Sequence, residues 1–227
     1  MKKFMSLKFL EVVLLIVLGL APLLWFSGTQ TILGHDAGLP IDPVVHFQDR
    51  LFSWTERYAF GDDQVYALPG FFIHGIEALV SSTGLSVSAE QKVTFIFWFL
   101  LPGLTMFYFA TKIEKKFSLR YMALPVAVFY MYNHFLLQGW FVAERTKFSL
   151  YAALPLLLSL LFDWQEKRRS TFLTALLISL IFFFLNGMAS LPLFGGVIIV
   201  GIVFVIFYII QFHNRVDFLR LVTLAII

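Results

Sequence analysis

Six long stretches of this chain, 12–26, 93–111, 121–138, 148–164, 171–185 and 191–212, run almost without charge; Asp163 is the only Asp, Glu, Lys or Arg in any of them. A helix of about 20 apolar residues covers the roughly 30 Å hydrocarbon core of a bilayer. Of the 227 residues 59% are hydrophobic and 14% charged, where soluble chains average about 45–50% and about 25%. A domain of this size keeps a large exposed fraction, so a water-soluble fold has no way to hide that surface. Soluble enzymes, disordered segments and nucleic-acid binders are excluded. The pattern predicts an all-α integral membrane protein, a polytopic helical bundle with about six complete spans.

The first stretch follows Lys2, Lys3 and Lys8 and ends beside Trp25. A secretory signal starts alike, but Leu24, Trp25 and Phe26 stand where small residues would mark cleavage, which predicts a retained signal-anchor helix. Pro102, Pro125 and Pro155 fall inside stretches, and lipid-embedded helices tolerate them where neighbours satisfy the freed backbone groups. Residues 186–190 read as an Asn-Gly turn that joins the last two stretches into a hairpin. With the N-terminus in the cytoplasm, 12 of the 17 basic residues lie inside, and only Arg50, Arg57, Lys92, Arg145 and Lys147 lie outside. That is the bias of the positive-inside rule. After Arg220 the apolar residues 221–227 rise only about 10 Å as a helix, so a truncated seventh span of a longer protein is expected, with 1–227 a single transmembrane domain. Cysteine is absent, which removes disulfides, thiolate metal sites and a Cys nucleophile.

The long outer loop, 27–92, holds eight of the chain's 14 carboxylates. Loops of that length are uncommon without structure or function of their own. Val44, Phe47, Leu51, Trp54 and Tyr58 recur at helical spacing, and Asp42-Pro43 supplies an N-cap acceptor and a first-turn proline. An amphipathic helix is therefore expected near 43–60. It lies either on the membrane surface or against the protein's own bundle. A second is expected near 69–82 through Phe72, Ile76 and Leu79, and Ser88-x-x-Gln91 reads as a capping box for the next span.

Those helices give several acids structural work: Asp42 as a cap, Asp49 and Glu56 on a solvated face. Asp62 and Asp63 follow Gly61 as a turn or cap, and Gln64 beside them has the chemistry to bind a polyol. Asp36 differs, because it sits in Gly34-His35-Asp36-Ala37-Gly38 with no helix directly after it. Flanking glycines allow close approach of a ligand to the backbone; an Asp in such a segment is equally a plain turn residue. Arg145 and Lys147 lie in the short second outer loop beside Glu144. They are either interface-snorkelling cations or partners for an anion.

Gly34-His35-Asp36-x-Gly38-x-Pro40-x-Asp42-Pro43, the Trp54 segment, Asp63-Gln64 and Pro69-Gly70-Phe71-Phe72 together resemble the N-terminal portion of bacterial arabinofuranosyltransferase-type proteins, in the GT-C class of membrane glycosyltransferases. Asn133 and Arg145 fit the same pattern, and His134 departs from the proline expected after the Asn. The resemblance implies a GT-C-like fold in the cytoplasmic (inner) membrane and a polyprenyl-phosphate-linked sugar as donor. The acceptor would be a glycan or protein at the outer face. It also implies Asp36 as the catalytic carboxylate, with His35, Asp63, Gln64, Arg145 and Lys147 binding substrate. Some members of the class use a divalent metal held by outer-loop acids; Asp36 and Glu144 alone make no metal signature.

Two other classes compete with transfer: a transporter or flippase for lipid-linked glycans, and a non-catalytic membrane assembly protein. A transporter should carry charged groups near the bilayer midplane, whereas this chain gathers its polar residues in one outer loop.

Overall fold

The computed structural model describes residues 2–32, 39–56, 61–63, 70–141, 145–185 and 191–211, with Thr223. The helices in chain order are α1 (Lys2–Gly19), α2 (Pro43–Asp49), α3 (Phe71–Ser81), α4 (Val87–Phe117), α5 (Ala123–Tyr132), α6 (His134–Gly139), α7 (Arg145–Gln165), α8 (Thr171–Phe184) and α9 (Leu191–Gln211). A 3-10 turn, Ala21–Trp25, continues α1, and two short strands, β1 (Trp54–Thr55) and β2 (Asp62–Asp63), pair antiparallel with Trp54 opposite Asp63.

Among the described residues three helices are long and apolar enough to cross a bilayer: Leu7–Trp25, Val87–Phe117 and Lys147–Gln165. This corrects the expectation of about six complete spans in a GT-C-like bundle. The stretch 121–138 is cut at Asn133, whose backbone is extended and whose Oδ1 accepts from Leu136 N at 3.0 Å. An Asn side chain offers the backbone this alternative to a continuing helix. The two pieces, 10 and 6 residues long, rise only about 15 and 9 Å. With 14 residues, α8 reaches about 21 Å, and the described apolar stretch of α9, Gly195–Phe204, is likewise short. The truncated seventh span lies outside the described residues, Thr223 apart, and so does the Asn-Gly turn at 186–190.

The chain is a multi-pass helical membrane protein. Phe9, Leu24, Phe129, Phe172 and Ile199 all point outward, which is an unfavourable surface in water and an ordinary one in lipid.

The centre of the bundle is α4, with α1, α5 and α7 packed around it. One apolar cluster joins Leu15, Phe99, Phe107, Ala123, Ala127 and Met131, and another joins Ile73, Trp98, Leu136, Phe148 and Ala153. Small residues bring the backbones close. A Cβ on Gly103 would lie 3.0 Å from the Met131 sulfur, and one on Gly19 would lie 2.6 Å from Leu100 Cδ1. Pro155 cannot donate to the Tyr151 carbonyl one turn before it. The Tyr130 hydroxyl donates to that carbonyl instead, at 2.8 Å.

Charge sits at the two ends of this bundle. At one end Lys8 bridges Glu11 and Glu114 at 2.7 and 2.6 Å, and Glu114 Oε1 accepts from the amides of Met122 and Ala123 to cap α5. Lys112 and Arg169 share Asp163 at the same end. The other end carries α2 and α3.

There the structure departs from periodicity. The helix expected over 43–60 stops at Asp49, and Trp54 pairs in β1 instead. Gly61 has φ +109, and a Cβ there would fall 2.2 Å from Trp54 Cζ2. Only glycine fits at 61 under the Trp54 ring, and the strand pair stands where the last helical turns were expected. Asp42 does cap α2, accepting from Val45 N at 3.0 Å. Rather than standing alone, α2 packs on α3 through Phe47 against Phe71 and His46 against His74. In α3 the buried face is Ile73, Glu77 and Ala78, and Leu79 faces out.

Candidate functional site at the α3–α7 end

Arg145 opens α7 and is 6% exposed, and its guanidinium donates to Glu77 Oε1 on α3, which is 2% exposed. The second Glu77 oxygen lies 3.1 Å from His74 Nδ1, one turn earlier on the same helix. The His46 ring meets His74 edge to face at 4.7 Å. Glu90, buried in the first turn of α4, has Glu77 and Arg145 as its electrostatic neighbours. Four elements thus meet at one buried polar cluster.

The cluster fixes its own charge states. Burial alone would raise the Glu77 carboxyl, but Arg145 and then His74 outweigh it and hold the pKa below its ordinary value. For His46, burial first and then the positive fields of His74 and Arg50 push the imidazole down to about 4, with Glu77 opposing. His46 is therefore neutral at pH 7, and its Nε2 is buried without a partner among the described residues.

Beside this cluster the loop that leads to Asp36 is pinned to α4. Gln91 accepts from Ile32 N at 2.9 Å and donates to Ile32 O at 3.3 Å. Ser88 donates to Gln30 O, and Lys92 to Gly28 O. This corrects the capping box: Ser86 caps α4, accepting from Ala89 N, which releases Ser88 and Gln91 to hold the loop. Ile32 and Leu39 both pack on Phe95, so the chain leaves for the Asp36 motif and returns from it at one point on α4.

Lys147 faces elsewhere. Its stem lies against Gly139, and its ammonium sits 5.4 Å from the Phe135 ring centroid. It stands at an apolar cleft of about 240 Å³ between α6, α7 and α9, lined by Tyr151, Leu154, Gly196, Val197 and Val200 among others. Tyr151 is fixed there by stacking on Tyr130 at 4.1 Å and by accepting from Asn133 Nδ2 at 2.7 Å.

Of the residues singled out in the sequence, Arg145 and Lys147 are thus placed, two positions apart on α7 but on different faces. Asp63 is described through its backbone in β2; Asp36, His35, Gln64 and Glu144 lie outside the described residues. Among the described residues no group of three or more His, Asp or Glu side chains could hold a metal ion. Sequence reasoning missed Glu77, His74 and Glu90. The available signal was Glu77 four residues after Ile73, a carboxylate on a helix's apolar face, which demands a buried partner.

No protein-family model, curated protein or solved structure matches the chain at a significant level.

Proposed function

We propose that this chain is a membrane glycosyltransferase that moves a sugar from a polyprenyl-phosphate carrier to a glycan or protein acceptor of the cell envelope. The reaction takes place at the outer face of the cytoplasmic membrane, with the N-terminus inside. The observation that carries the reading is the lysine-rimmed apolar cleft: a prenyl chain suits its apolar lining, and a phosphate suits the Lys147 ammonium. The resemblance of the Gly34–Pro43 motif and of Pro69-Gly70-Phe71-Phe72 to arabinofuranosyltransferase-type proteins supports the same reading.

In this mechanism the Asp36 carboxylate takes the proton of the acceptor hydroxyl as that oxygen bonds to the anomeric carbon. The bond from the anomeric carbon to the phosphate oxygen breaks, and its electron pair leaves with the polyprenyl phosphate. Lys147 stabilises the charge that develops there. His35, Asp63 and Gln64 contact the sugars. Because Arg145 is engaged with Glu77, its part is to hold the start of α7, and with it Lys147, in place. Buried charge among the described residues sits at the bundle's ends and not at its middle, which favours chemistry at an interface over a translocation path. A flippase or a non-catalytic assembly protein is the competing reading.

The test is transfer of labelled arabinofuranose from its polyprenyl-phosphate donor by the protein in liposomes. Asp36→Asn should lower the rate by about 100-fold or more while helix content is unchanged. Full transfer by Asp36→Asn would remove the catalytic assignment.

A further inference from the structure

A second cleft, of about 390 Å³, opens between α4, α7 and α8, lined by Tyr108, Ser159, Leu160, Leu177, Leu180 and Ile181 among others, and runs from Ser159 toward Phe184 and Leu185 near α3. Its lining is apolar apart from Ser159 and the Tyr108 hydroxyl. Ser159 is 1% exposed, and its Oγ has no partner among the described residues. A hydroxyl left unpaired in an apolar setting is unfavourable, and a serine hydroxyl reorients among staggered rotamers to meet an acceptor. Directly above it, Lys112 Nζ reaches the Ser159 carbonyl at 3.4 Å and Asp163 at 2.7 Å, and stands 4.4 Å from the Tyr108 ring centroid.

The vertical spacing selects the ligand. Ser159 and Asp163 are one turn apart on α7, a rise of about 6 Å. The headgroup layer of each leaflet is about 5–7 Å deep, so a lipid whose ester lies at Ser159 has its phosphate at the level of Lys112. The charge selects its sign. Lys112 and Arg169 share one carboxylate, Asp163, and Lys116 and Arg168 share another, Glu166. The rim therefore carries excess positive charge.

We propose that this cleft is a binding site for one anionic glycerophospholipid, its acyl chain along Leu160, Leu177 and Leu180, an ester carbonyl accepting from Ser159 Oγ, and its phosphate beside Lys112. The site shares no lining residue with the lysine-rimmed cleft and does not depend on the transfer reaction. Its occupant ties α8 to α4 and α7 on the lipid-facing side.

The experiment is native mass spectrometry of the whole chain released from nanodiscs that hold equal phosphatidylglycerol and phosphatidylcholine with matched acyl chains. One phosphatidylglycerol is expected per chain, retained about tenfold over phosphatidylcholine. Ser159→Ala should lower retention about fivefold, the loss of one hydrogen bond, while Ser159→Thr keeps it. Leu180→Trp, which fills the cleft, should abolish it. Equal retention of both headgroups, or retention unchanged by Leu180→Trp and Ser159→Ala alike, means annular lipid only and overturns the site. Should Leu180→Trp lose its helical circular dichroism, the Ala and Thr variants at 159 decide alone.

Discussion

Arg145, the first residue of α7, donates a hydrogen bond to Glu77 on α3, and both side chains are buried. The pair joins the long loop after the first span to the bundle, 68 residues apart in sequence. Its value lies in completeness: two buried ions that satisfy each other are tolerated, and one left alone is not.

Arg145→Ala should therefore destabilise the protein by about 3–5 kcal/mol, because Glu77 is stranded. Arg145→Met combined with Glu77→Leu should recover most of that loss. Chemical unfolding in detergent, followed by circular dichroism, compares the two; a double variant no more stable than Arg145→Ala would refute the pairing.

The same cluster sets an acid sensitivity. His46 has an ordinary pKa of 6.5 and is held at about 4 in the fold. Between those values the unfolded chain carries a proton on His46 that the folded chain does not, so the His46 contribution to stability rises with pH across the window and is lost on acidification. Glu77, held below its ordinary 4.5, adds a further loss as pH falls below that value. His46→Phe keeps a ring against His74 and removes the titration. Its Tm should fall between pH 6.5 and 5 by about half as much as that of the wild type; identical slopes would exclude His46 as the source.

Gln91 holds both backbone groups of Ile32, and Ile32 lies four residues before Asp36. Gln91→Leu keeps the side chain's bulk and loses two hydrogen bonds, a cost of about 1–2 kcal/mol. Amide exchange at Ile32 should quicken, and sugar transfer should fall about tenfold through loss of positioning. Unchanged exchange at Ile32 would show that the loop is held by other contacts.

Asn133 ends α5 and begins α6. Asn133→Ala removes the cap and the bond to the Tyr151 hydroxyl, so the protein should lose about 1–2 kcal/mol. A denaturant midpoint identical to that of the wild type would mean that the break in the helix does not depend on this side chain.

Much of this fold is written in local pattern. The spans Leu7–Trp25, Val87–Phe117 and Lys147–Gln165 coincide with three of the six apolar stretches, since hydropathy over 20 residues is a strong signal. Asp42-Pro43 marked the start of α2 for the same local reason. Helix lengths were less legible. Hydropathy gave no warning that Asn133 would turn its side chain onto the backbone, or that Gly61 would let a strand pair replace the end of a helix. The site was read least well. Arg145 and Lys147 stood out as cations at the right depth, but their partners come from α3, α6 and α9, distant in sequence. Ser88 and Gln91 had the spacing of a cap, and tertiary contacts with residues 30–32 took them for another purpose.

The proposed transfer requires a polyprenyl phosphate seated in the α6–α7–α9 cleft with its phosphate at Lys147. Photocrosslinking with a diazirine-bearing polyprenyl phosphate, read by peptide mass spectrometry, tests it directly. Label is expected on α7 and α9 around Leu154 and Val197, reduced about tenfold by Lys147→Gln and removed by Val197→Trp. Label on other helices, or label indifferent to both substitutions, would contradict it.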